Sequence, residues 1–201
     1  MKKASTEGFG VINAAILNKK RALFGKLSHL LDYPDKQFLN ERYITENLEY
    51  AEPDTRMHLG HFWQFLKSKR LYEVEQFYAE SFDFTKKRSL YMTYYKFEDA
   101  RERGQMLAKL KFLYEMFGLL AVDEELTDFL PLMLEFYEAG DWYMDERFQD
   151  LQVSFGVIED GTYFLLQNLK EEEHPYASLV EALRIELKAC MVKKEGSAYV
   201  E

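Results

Sequence analysis

Apolar residues recur at helical spacing along most of the chain. Between Phe9 and Leu31, the residues Ile12, Ile16, Leu23, Leu27 and Leu30 fall on one face, which predicts a single helix. Asp32-Tyr33-Pro34 stops it, and Pro34 opens a second helix expected over Asp35 to Tyr50. Pro53-Asp54 marks the next boundary. A third helix then carries His58, Phe62, Phe65 and Leu66, and a fourth, Leu71 to Phe82, brings Val74, Phe77 and Tyr78 together. The clearest start is Asp99, whose carboxylate suits the free N–H groups of a first turn. Met106, Leu110, Leu113 and Phe117 follow at helical intervals, and Gly118 suits the left-handed residue beyond the last turn. Asp123 to Ala139 reads as helical around Pro131, which opens a new segment there. Gly156 and the turn-like Glu159–Thr162 divide Asp141 to Lys170 into two expected helices. A last helix follows Pro175-Tyr176, with Leu179, Leu183, Leu187 and Cys190 on one face.

Composition agrees with helices. Of 201 residues, 47% are hydrophobic, enough for a real core, while 4 prolines and 10 glycines are too few for a many-turned β fold. The expectation is an all-α, single-domain, multi-helix bundle over residues 1–201, with a loose tail from about residue 193. The single Cys190 excludes an internal disulfide and reads as a small core residue, in keeping with a reducing cytoplasm. The opening Met1-Lys2-Lys3 is followed by a short, Asn-interrupted apolar run without a cleavage site, so an export signal is rejected. No apolar run has the roughly 18 residues needed to span a membrane.

Net charge is −9, unevenly placed. Residues 1–30 carry six basic and one acidic side chain, and residues 86–111 carry eight basic and three acidic. The acidic total argues against nucleic acid as a partner, and the acidic body around two basic islands suits a surface that receives a basic ligand.

Reaction centres are hard to find. No phosphate-binding glycine loop occurs, and the Gly8-Phe9-Gly10 triplet lacks a preceding strand. His58 and His61 share a helix face but need further ligands to hold a metal, and the Glu171–His174 pair occurs once where di-iron bundles need it twice. Cys190 has no activating base in the sequence. No catalytic residue, metal or cofactor is therefore assigned. An aromatic-rich helical chain of this kind suits binding: a groove between helices can take up a segment of a partner. A generic helical adaptor and a metal-dependent helical enzyme using His58 and His61 stay open as alternatives.

Several stretches carry a resemblance. Tyr78–Phe84 (YAESFDF), Ser89–Tyr95 (SLYMTYY), Asp99–Gly104 (DARERG), Leu110–Leu119 (LKFLYEMFGL) and Glu125–Phe136 (ELTDFLPLMLEF) are similar, in that order, to the NarJ family. Those are the delta-subunit chaperones of nitrate reductase assembly, within the wider TorD-like group. LLDYPD near the start and HPYA near the end fit as well. Glu98 and Ala100 replace the family's usual glycine and threonine, and Thr127-Asp128-Phe129 stands where many members read Pro-Asp-His. The resemblance implies an all-α cytoplasmic chaperone that is not part of the finished enzyme. Its implied client is the catalytic alpha subunit of nitrate reductase, held by its N-terminal segment while the molybdenum cofactor is inserted and before membrane docking. A homodimer is left open.

Client contacts are expected from the aromatic residues Tyr78, Phe82, Tyr91, Tyr94 and Tyr95, which suit a groove that is exposed when empty and covered when full. The charged residues Asp83, Asp99, Arg101, Arg103, Asp128 and Glu135 complete the expected set. A helical Ser89–Tyr95 segment would put Tyr91 and Tyr95 on one face.

Overall fold

A computed structural model describes residues 11–97, 99–120 and 125–192. The helices are α1 (Ala14–Lys19), α2 (Arg21–Leu31), α3 (Glu41–Thr45), α4 (Pro53–Leu66), α5 (Leu71–Phe82), α6 (Ala100–Met116), α7 (Leu130–Ala139), α8 (Gln152–Glu171) and α9 (Ala177–Ala189). The only sheet among the described residues pairs β1 (Val11–Ile12) antiparallel with β2 (Met191–Val192). The fold is an all-α bundle, as the periodicity predicts.

Local chemistry explains most of the boundaries. Pro53 and Pro131 sit in the first turns of α4 and α7, where a missing N–H costs nothing. Asp99 caps α6, accepting from the N–H groups of Arg101 (2.6 Å) and Glu102 (3.2 Å). At the other end Gly118 takes φ +82°, and the Leu119 N–H reaches back to the Tyr114 carbonyl at 2.9 Å.

Packing places α2 along α7, and α9 between α4 and α8. Phe24 meets Tyr137 edge-on at 5.6 Å, and Phe62 meets Tyr176 at 5.1 Å, so large rings join the elements across the core.

Three boundaries differ from the sequence reading. The predicted first helix breaks at Lys20, which lies between α1 and α2 with φ −93° and ψ 5°. Its residues before Val11 lie outside the described range, as do Glu98, Asp123 and the tail from 193. Lys20 is 4% exposed; its Nζ donates to Glu186 (2.6 Å), to Glu52 (3.0 Å) and to the Tyr50 carbonyl (2.6 Å). The break turns that ammonium inward. Burial alone would lower its pKa, but the hydrogen bonds and charges of Glu186 and Glu52 outweigh burial and hold it above the usual lysine value.

The expected helix over Asp35 to Tyr50 is instead a 3-10 turn over Lys36–Leu39 followed by the short α3. The two helices expected between Asp141 and Lys170 are a 3-10 turn over Glu146–Leu151 and then one long helix, α8. Gly161 is not a breaker. A Cβ there would lie 2.8 Å from the Met92 carbonyl oxygen, so the glycine lets the Tyr91–Tyr94 loop lie directly on α8.

A histidine under the bundle gives the fold a pH dependence. His174 Nδ1 accepts from the Tyr176 N–H (3.3 Å), so Nε2 carries the proton and donates to Ser81 Oγ (2.9 Å). Burial, with Arg88 adding to it and Glu172 opposing, lowers its pKa to about 4. The unfolded chain therefore takes up a proton near pH 6.5 while the folded one does not. Stability at neutral pH is expected to fall by roughly 2–3 kcal/mol as pH drops from about 6.5 to about 4. Urea midpoints measured across that range, with His174→Asn as the variant that flattens this part of the curve, check it.

Candidate functional site: an aromatic cleft

α5 ends where the Asp32-Tyr33 turn, the Ser89–Tyr95 loop and the residues leading into α7 converge. They enclose an open cleft of about 740 Å³. Tyr78 and Phe82, one turn apart on α5, form its floor with Leu90. Below them lies Tyr176, with ring centroids 6.1 Å from Tyr78 and 5.0 Å from Phe82. The Tyr78 hydroxyl donates to the Leu31 carbonyl (3.2 Å) and Tyr33 stands edge-on to its ring at 5.6 Å, so the floor is tied to the end of α2. Burial, with Asp32 nearby, raises the Tyr78 pKa and keeps the phenol neutral.

Among the described residues the rim is largely apolar and exposed. Tyr33 is 55% exposed, Phe84 83%, Tyr94 40% and Leu126 44%, and all four line the cleft. Four such side chains around one hollow are more than the scattered apolar surface of an ordinary soluble domain. Asp32, Asp83 and Glu125 also line it, with Lys86 and Arg103 as the cations. Tyr91 donates to Glu125 Oε1 at 2.9 Å, and the Leu126 N–H donates to the same oxygen at 2.8 Å, which fixes that carboxylate. Burial and the Glu125 contact push the Tyr91 phenol up to about 12, so it stays a donor at neutral pH.

The Ser89–Tyr95 segment is not helical; it is a string of turns with one bridge, Tyr91 to Phe129. The Met92 N–H donates to the Asp128 carbonyl (2.9 Å) and the Leu130 N–H to the Leu90 carbonyl (2.8 Å). Asp128 supplies the third restraint. Its Oδ2 accepts from the Thr93 N–H (3.1 Å) and from the Thr93 hydroxyl. Arg103, reaching across from α6, donates through Nε to Thr93 Oγ1 (3.0 Å) and through a terminal nitrogen to Asp128 Oδ2 (3.4 Å). A buried carboxylate, a threonine and an arginine thus hold the loop that presents Tyr91 and Tyr94.

Of the residues expected to meet a client, Tyr78, Phe82, Asp83, Tyr91, Tyr94 and Arg103 line this one cleft. The others lie elsewhere. Tyr95 does not share a face with Tyr91: it turns back to stack on Phe164 at 6.1 Å and donates to the Ser89 carbonyl (2.9 Å). Asp99 is occupied as the α6 cap. Arg101 is exposed on the side of α6 opposite its buried face, and Glu135 is exposed on α7 outside the cleft lining. Asp128 is 0% exposed, which corrects the expected direct contact to a bracing role. His58 lies 3.3 Å from Glu181, and no group of three or more metal-ligating side chains occurs among the described residues.

Residue-by-residue reasoning missed Tyr33, Phe84, Glu125, Leu126 and Phe129. Their signal was in the sequence: LLDYPD, YAESFDF and ELTDFL each place one or more of them, and the fold brings all three stretches to one place.

Comparison with known proteins follows the same residues. A family model described as nitrate reductase delta subunit matches residues 48–178. The probable nitrate reductase molybdenum cofactor assembly chaperone NarJ of Bacillus subtilis (strain 168) is 31% identical over 187 residues, which covers 90% of this chain and 97% of that protein. The nitrate reductase molybdenum cofactor assembly chaperone NarJ of Escherichia coli (strain K12) is 32% identical over 114 residues, covering 55% of this chain and 48% of that one. The probable chaperone NarW of the same strain is 28% identical over 156 residues, covering 77% and 63%. No helix among the described residues is long and apolar enough to cross a membrane. Every cleft residue except Asp32 and Tyr33 falls within the matched 48–178, and the chain belongs to the nitrate reductase delta subunit family.

Proposed function

We propose that this protein is an assembly chaperone of nitrate reductase, working in the cytoplasm by binding and not by turnover. Its cleft holds the N-terminal segment of the molybdenum-containing alpha subunit while the cofactor is inserted, and releases it before the subunit docks at the membrane. The observation that carries this reading is the convergence of the family-like stretches on one open, aromatic cleft with carboxylates at its edge. The relatives' names support nitrate reductase as the enzyme being assembled; the cleft is the part of this molecule suited to hold a segment of it.

Magnitudes fit a temporary complex. About four apolar side chains buried in the cleft contribute on the order of 6–12 kcal/mol. Ordering a flexible segment costs about 2–5 kcal/mol, and association entropy takes a further share. The remainder favours roughly micromolar binding, which permits release. Asp32, Asp83 and Glu125 add selectivity for a basic segment more than affinity.

Calorimetry with a synthetic peptide of the client's N-terminal segment, against a scrambled control, is the test. Tyr33→Ala and Phe84→Ala are each expected to weaken binding by about tenfold, the loss of roughly 1–2 kcal/mol of buried surface. Both residues are largely exposed, so neither change disturbs the core. Equal affinity for the scrambled peptide, or no loss in either variant, would refute this use of the cleft.

A further inference from the structure

Among the described residues, α6 turns one side to the body and leaves the other exposed. Leu110, Leu113 and Tyr114 are buried, while Arg101, Gly104, Gln105, Ala108, Phe112 and Glu115 are all exposed. At about 100° per residue, those six fall within about 60° of a single line opposite the buried three. Phe112 lies close to that line and is 64% exposed, so it adds little to the core of its own chain. Gly104 has open space where a Cβ would stand, which leaves a hollow two turns before Phe112.

The face is symmetric about Ala108. Arg101 and Glu115 lie equally far before and after it, as do Gly104 and Phe112. Two such helices crossing antiparallel at Ala108 place each Arg101 against the Glu115 of the other copy. Each Phe112 then enters the hollow over the opposite Gly104. A parallel arrangement would instead set like charges side by side. Contacts of the form i to j and j to i are what a two-fold interface requires.

We propose that α6 is a dimerisation helix whose partner is a second copy of this chain, docked antiparallel with the two-fold axis at Ala108. The inference does not rest on the function of the cleft. Arg103 leaves α6 on its other side to line the cleft, so the dimer keeps both clefts open. One helix per copy is a small contact, so the association is expected to be weak and reversible.

Sedimentation velocity on the intact chain, up to several hundred micromolar and in moderate salt, reads the equilibrium. Phe112→Ser is expected to weaken association at least tenfold while leaving the circular dichroism spectrum and the client-peptide affinity unchanged. Arg101→Glu and Glu115→Arg should each do the same, and the double variant should restore the dimer, because the swapped charges again meet their opposites. A wild type that stays monomeric throughout overturns the proposal. So does a folded Phe112→Ser that associates as before, or a double variant no better than the single ones.

Discussion

Replacing Lys20 with methionine is expected to destabilise the protein by about 3–5 kcal/mol, the usual consequence of leaving one member of a buried ion pair without its partner. Glu186 is 0% exposed and gives one oxygen to Lys20 and the other to the Glu52 N–H (2.8 Å). Without the ammonium, a carboxylate stays buried with a single hydrogen bond. The double variant Lys20→Met, Glu186→Leu should recover much of the loss, since it removes both charges. Chemical denaturation followed by circular dichroism measures all three proteins. A Lys20→Met protein within about 1 kcal/mol of wild type would show that the triad is weaker than its geometry implies.

Asp128→Ala is expected to cost about 2–4 kcal/mol and to weaken client-peptide binding by about tenfold or more. The lower bound reflects Arg103, whose side chain is 27% exposed and regains water when its partner is lost. Thr93 is buried, so its N–H and hydroxyl are left without an acceptor. The affinity loss arises at a distance: Asp128 has no exposed surface, but Tyr91 and Tyr94 sit on the loop it holds. Asp128→Asn keeps an oxygen for Thr93 and loses only the charge facing Arg103, so it should fall between wild type and alanine in both measurements. Calorimetry beside urea titration separates the two effects. Unchanged affinity in a folded Asp128→Ala protein would show that the cleft does not depend on the brace.

Features set by one residue and its neighbours were legible in the sequence. Asp99 caps, Gly118 turns left-handed, and Pro53 and Pro131 open helices, because each effect is settled within one turn of chain. Features set from afar were not. The residues around Lys20 keep helical spacing on both sides of it, and the partners that hold its ammonium, Glu186, Glu52 and the Tyr50 carbonyl, all lie far along the chain. Gly161 looks like punctuation, but its reason is Met92 pressed against it. The same division runs through the cleft. Tyr78 and Phe82 were readable from the YAESFDF stretch, and both line the cleft. Asp128 was expected as a contact because it lies in a family-like stretch, and nothing in that stretch gives a sign of the threonine that it is buried against. Glu135 was chosen for its neighbours in sequence and lies outside the cleft for the same reason, since α7 carries it away along its axis.

The cleft is assembled from Tyr33, Tyr78, Tyr91 and Phe129, and Tyr176 underlies its floor. No stretch of fewer than about a hundred residues contains it. A chain in which Tyr176, just before α9, has not yet packed beneath the rings lacks a finished cleft, so competence to bind a peptide is expected to arrive late and in one step. Long-range closure of this kind is the slow part of folding, and the gain in peptide binding after dilution from urea should track the final folding phase and not the first appearance of helix.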